Sequence, residues 1–120
     1  MKMEAYIRIL GSEAKIRALQ NDVNLPDATV KETKARLWNY ETKRVLVNSE
    51  DSDEGLKALL LRYRPFFSAI RAHCNGDTDA YLELITKYEP NEDPRGLFLS
   101  AETISLLSEL GAALDNDVYR

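Results

Sequence analysis

Leu56-Lys57-Ala58-Leu59-Leu60-Leu61-Arg62-Tyr63-Arg64-Pro65-Phe66-Phe67-Ser68-Ala69-Ile70-Arg71-Ala72-His73-Cys74 is the most regular stretch of the chain. Leu56, Leu59, Leu60, Tyr63, Phe66, Phe67, Ile70 and Cys74 recur at steps of three and four, which draws one apolar stripe along a helix. Lys57, Arg62, Arg64, Ser68 and Arg71 fall off it. The preceding Ser49-Glu50-Asp51-Ser52-Asp53-Glu54 supplies capping side chains and negative charge where the helix dipole is positive. Pro65 removes a backbone donor and should bend the helix, and Asn75-Gly76 should end it. The expectation is a long helix over about residues 53–74 with Leu56, Leu60, Tyr63, Phe67 and Ile70 buried.

Away from this helix the apolar period drops towards two. Ala5, Ile7 and Ile9 alternate with Tyr6 and Arg8 in an opening strand that Gly11-Ser12 ends, and Ser12 can cap a short helix to about Gln20. Residues 29–48 read as a hairpin, with Ala35, Leu37, Trp38 and Tyr40 in one arm, Val45, Leu46 and Val47 in the other, and a turn near Glu41-Thr42. That turn lacks the Asn-Gly signature. After the long helix, Ala80, Leu82, Leu84 and Thr86 alternate with Tyr81, Glu83, Ile85 and Lys87. Leu97-Phe98-Leu99 reads as a short strand, and Ser100 caps a third helix with Ile104, Leu107 and Leu110 inward and Gly111 at its stop. Leu114 to Tyr119 is a closing strand.

The order β-α-β-β-α-β-β-α-β predicts a single α+β domain over residues 1–120. It has two layers, a largely antiparallel sheet covered on one face by about three helices. The other face of the sheet should carry Tyr6, Arg8, Tyr81, Glu83, Ile85, Lys87, Asp115, Asp117 and Tyr119, a mixed aromatic and charged surface.

Composition narrows the function classes. The 120 residues are 44% hydrophobic and 30% charged, ordinary usage for a soluble globular chain. No run approaches the length a membrane span requires, and the opening residues lack a signal peptide's apolar core. One cysteine excludes an intramolecular disulfide and fits a reducing, cytoplasmic compartment. Charge is uneven along the chain: residues 1–48 balance at +3, residues 49–75 at zero, and residues 76–120 at −7. An acidic C-terminal third opposes nucleic acid, whose phosphates need a basic footprint, and suits a basic protein partner.

Catalytic signatures are missing. His73 and Cys74 are neighbours on a helix and point about 100° apart, so they do not face each other as nucleophile and base. A calcium loop starting at Asn75 would need Gly at Ala80 and Glu at Thr86. Lys31, Lys34, Arg36, Lys43 and Arg44 gather near Trp38 and Tyr40, but Glu32 and Glu41 dilute them. Asp115 and Asp117 project from one strand face, where paired carboxylates can hold a metal or share a proton, yet no third ligand is identifiable. No metal, no cofactor and no enzymatic activity are expected.

Gly96-Leu97-Phe98-Leu99-Ser100-Ala101-Glu102, followed by Leu106 to Tyr119 with Leu110-Gly111 and the closing Leu114-Asp115-Asn116-Asp117-Val118-Tyr119, resembles a family of small bacterial proteins. This is domain-of-unknown-function family 4279. Asn116 stands where that family usually has an apolar residue. The resemblance implies a bacterial single-domain α+β protein with no catalytic residues to carry over. Some similar proteins are encoded beside secreted toxins and are regarded as immunity proteins.

These readings converge on a non-catalytic protein-binding domain, an immunity protein that neutralises a cognate basic toxin such as a nuclease. Asp79, Glu83, Asp115 and Asp117 are the expected steering charges, with Tyr81 and Tyr119 as anchors. The alternative is a small-molecule-binding or regulatory module of unknown ligand.

Overall fold

The computed structural model describes residues 1–120. The chain runs β1 (Lys2–Gly11), α1 (Glu13–Asp22), β2 (Thr29–Glu32), β3 (Trp38–Glu41), β4 (Val45–Val47), α2 (Ser52–Tyr63), a 3-10 turn (Arg64–Phe66), α3 (Phe67–His73), β5 (Asp79–Lys87), α4 (Ala101–Leu110) and β6 (Ala113–Tyr119). The expected long helix is α2, the 3-10 turn and α3 in succession. Pro65 sits inside the turn, where its missing N–H tightens the winding and redirects the axis. Counted so, three helices lie on one face of a six-stranded, mostly antiparallel open sheet of the α+β class.

Capping follows the sequence. Ser12 accepts from Lys15 N–H at the start of α1, Asp51 from Glu54 N–H at α2, and Ser100 from Thr103 N–H at α4. Gly111 ends α4 at φ 74°, a left-handed conformation that costs glycine no Cβ clash.

β1 is the central strand. The sheet order is β2-β3-β1-β5-β6, with β4 also on β1, and only β5 and β6 run parallel. Ala5, Ile7 and Ile9 point into the helix layer and are fully buried with Leu82 and Leu84 of β5. Leu56, Leu60, Tyr63, Phe67 and Ile70 meet them there, as the stripe predicts.

Three expectations are corrected. The hairpin is β2 with β3, turning at residues 33–37, and no turn forms at Glu41-Thr42. Instead β3 and β4 lie end to end along β1, pairing with Arg8–Gly11 and Met3–Ala5 respectively. Thr42 bridges the gap: Ile7 N–H donates to its Oγ1 at 2.9 Å, and its own N–H donates to the Ile7 carbonyl at 3.0 Å. Both backbone groups of Ile7 are thus satisfied, and the chain stays on the same edge instead of reversing.

Residues 97–99 form no strand. Leu97 and Leu99 pack against the core and Phe98 is 71% exposed, so the alternation belongs to an extended segment without ladder partners. Its end is tied elsewhere, by Ser100 N–H donating to Asp53 at 2.8 Å. Finally, the inner stripe of α4 is Thr103, Leu106, Leu107 and Leu110, while Ile104 is 53% exposed. Thr103 fits the buried position because its hydroxyl has a partner in Ser100 Oγ at 3.1 Å.

Candidate functional site

The face of the sheet turned away from the helices is built by alternate residues of three strands. Pairing sets Tyr6 beside Glu83 and Arg8 beside Tyr81 between β1 and β5. It sets Glu83 beside Asp115, Ile85 beside Asp117 and Lys87 beside Tyr119 between β5 and β6. Because side chains alternate with period two, Asp79, Tyr81, Glu83, Asp115, Asp117 and Tyr119 all emerge on this face. They do not form one spot: eight strand residues, or about 26 Å at about 3.3 Å each, separate the Asp79 level from the Tyr119 level.

Glu83, Asp115 and Asp117 do converge, each placing a carboxyl oxygen within 4.8 Å of the others. Arg8 answers them. Its Nη2 lies 3.4 Å from Glu83 Oε2 and 3.6 Å from Asp115 Oδ2, and its guanidinium carbon stands 4.8 Å over the Tyr81 ring. Beyond Arg8, Glu41 faces it from β3 and pairs with Lys31 at 2.6 Å. Arg44 stacks over Tyr6 at 4.9 Å.

Glu83 is the surprise of this surface. It is only 2% exposed, sealed on the uncovered side of the sheet among its charged neighbours. Burial, then hydrogen bonds with Asp117 and Asp115, then the charge of Asp115 push its carboxyl up to about 8, against the pull of Arg8. The proton of this cluster therefore rests on Glu83 at neutral pH. The 3.4 Å contact with Arg8 is then a hydrogen bond from a cation to a neutral carboxyl, and Glu83 cannot serve as a steering charge. Tyr6, 7% exposed, is likewise raised, first by burial and then by the charges of Glu41 and Glu83.

Chemically, three clustered carboxyl groups are the oxygen donor set of a hard cation. Arg8 already stands at two of them, so an entering cation must displace a guanidinium. The sequence offered two of these ligands. Glu83 joins them only through the β5–β6 register.

The charge asymmetry of the chain also changes meaning in three dimensions. Acids of the C-terminal third fold onto bases of the first two thirds: Asp77 with Lys15, Glu102 with Lys57, Glu109 with Arg64 and Asp115 with Arg8. Glu92 pairs with the Met1 amino group. Asp79, Glu89, Asp93 and Asp117 are left without an ion pair, and two of these four are on the uncovered sheet face.

His73 and Cys74 lie at the end of α3, away from this sheet face. Burial, then the charge of Asp79, raises the Cys74 thiol, which disfavours the reactive thiolate. His73 Nε2 is engaged with Asp22 at 2.8 Å. No helix is long and apolar enough to cross a membrane.

A family model described as domain of unknown function DUF4279 matches residues 19–120. The chain belongs to the DUF4279 family. The matched stretch leaves out β1, yet β1 pairs with β3, β4 and β5. A fragment starting at residue 19 would therefore leave an edge of all three strands unpaired and lose the middle of the core. No curated protein and no solved structure matches the chain.

Proposed function

We propose that this DUF4279 protein is a non-catalytic protein-binding domain whose uncovered sheet face engages a basic protein partner, a toxin domain that it neutralises. One observation carries the reading. The free carboxylates Asp79 and Asp117, partly balanced Asp115, and the tyrosines Tyr81 and Tyr119 share a face that no helix of this chain covers. Carboxylates steer a cationic surface, and tyrosines supply rigid contact area at small entropic cost. Glu83 takes a supporting part, holding Arg8 and β6 in place from below.

The test is co-expression with the product of the neighbouring gene, followed by copurification at low and high salt. A complex whose association slows with salt, and slows further in Asp79→Lys/Asp117→Lys, supports the reading. No binding by any neighbouring product, and no protection of cells from a co-encoded toxin, would end it.

A second reading has its own observation. A hollow of about 680 Å³ opens at the β6 end of this face, lined by Tyr6, Arg44, Ile85, Lys87, Tyr88 and Tyr119 among others. Arg44, Lys87 and Arg120 border it against the two carboxylates Glu89 and Asp117, with the rings of Tyr6, Tyr88 and Tyr119 between them, so a small aromatic ligand with a single acid group is the chemistry it would take. A panel of such acids tested by calorimetry against the purified protein distinguishes this from partner binding.

A further inference from the structure

The sheet has free edges at β2, β6 and the three-residue β4, which pairs only with β1, and they differ. β2 has four residues, while β6 has seven, with no proline and no left-handed residue. In a parallel pair each residue of one strand directs both of its backbone groups to the neighbour or both away from it. Tyr88 N–H donates to the Tyr119 carbonyl at 2.9 Å, which fixes the phase: residues 113, 115, 117 and 119 turn inward to β5. Leu114, Asn116 and Val118 therefore present their N–H and C=O groups outward, unpaired.

The side chains around this edge divide by face. Asp115 and Asp117 stand on the uncovered side. On the helix side, Val118 is 57% exposed and Leu114 half-buried. On α4, at 100° per residue, Ile104 falls about 140° from Glu109, which lines the groove towards α2. Ile104 too is exposed. Of the six large apolar residues left exposed, Val118 and Tyr119 belong to this one strand.

We propose that β6 takes an added β-strand from the partner, one whose side chains alternate between cationic and apolar. This deepens the partner-binding reading above and rests on it. Main-chain hydrogen bonds to Leu114, Asn116 and Val118 would supply the pairing. Cationic side chains would lie opposite Asp115 and Asp117, and apolar ones would lie beside Leu114 and Val118. A second copy of the same strand does not fit in the fully overlapping register. Antiparallel pairing about Asn116 would set each Asp115 against the other copy's Asp117, four carboxyl groups in one place above Glu83.

The experiment uses the whole protein and three synthetic probes: a ten-residue peptide alternating Lys and Val, its Glu-Val counterpart, and the Lys-Val peptide N-methylated at alternate residues. Nuclear magnetic resonance follows the amides of Leu114, Asn116 and Val118. The Lys-Val peptide should shift these amides and slow their exchange, and the Glu-Val peptide should not. N-methylation should weaken binding about tenfold or more, as should Val118→Pro, which removes an outward N–H while leaving the β5 ladder intact. Asp115→Lys/Asp117→Lys should abolish it.

Absence of Lys-Val binding, or binding indifferent to N-methylation, overturns strand addition. Because the N-methyl comparison uses unaltered protein, it decides the matter even if Val118→Pro fails to fold. The co-expressed complex separates the two readings: copurification that survives Val118→Pro overturns strand addition and leaves partner binding standing.

Discussion

Glu83→Gln should abolish most of the loss of stability that the protein suffers on going from pH 5 to pH 8. In the folded chain the Glu83 carboxyl holds its proton up to about pH 8, against an ordinary value of 4.5, because it is buried beside Asp117 and Asp115. Below pH 4.5 both folded and unfolded states carry that proton, and it contributes nothing to the pH dependence. Between these limits the unfolded state has released it and the folded state has not. Stability therefore falls as pH rises, and levels off above about pH 8. The interval from 4.5 to about 8, at about 1.4 kcal/mol per pH unit, sets a ceiling of about 5 kcal/mol. Asp117 lies on an exposed edge strand, where water weakens its hold, so the expected loss is about half that, about 2–3 kcal/mol.

Glutamine keeps the shape of the protonated acid. Its amide N–H can donate to Asp115 or Asp117, its oxygen can accept from Arg8, and it does not titrate. Urea unfolding of both proteins at half-unit steps from pH 4.5 to 8.5 measures the difference directly. The variant should match the parent near pH 5 and exceed it near pH 8. Subtracting the curves cancels every contribution common to both proteins. Parallel curves would show that Glu83 is ionised in the fold, and the proton-sharing account of the cluster would fail.

Tyr40→Phe should cost about 1–3 kcal/mol by urea unfolding, because the Tyr40 hydroxyl donates to the Val23 carbonyl at 2.8 Å and accepts from Leu25 N–H at 2.9 Å, leaving two buried backbone groups unpaired when it goes. Leu60→Ala should cost about 2–5 kcal/mol in the same assay, since Leu60 is fully buried in the core. Iodoacetamide at pH 7 should label Cys74 much more slowly than a free thiol in a peptide, followed by mass spectrometry, because its burial raises the thiol.

Local chemistry determined much of this protein. The stripe from Leu56 to Ile70, the caps at Ser12 and Ser100, the stop at Gly111 and the alternation from Ala80 to Lys87 are all readable in sequence, because each depends on residues within a turn or two of one another. Where a short apolar pattern could be met in two ways, sequence reading failed: Leu97-Phe98-Leu99 alternates without a strand, and the stripe of α4 begins one residue earlier than Ile104 suggests. Only tertiary structure decided what lies beside what. The end-to-end placement of β3 and β4 depends on Thr42 meeting Ile7, 35 residues away. The burial of Glu83 depends on the β5–β6 register, and the acidic third loses much of its free charge by pairing with Lys15, Lys57, Arg64 and Arg8. Periodicity tells a residue which face it will occupy. Neighbours brought from elsewhere in the chain set its solvation, its charge state and whether its strand edge stays open.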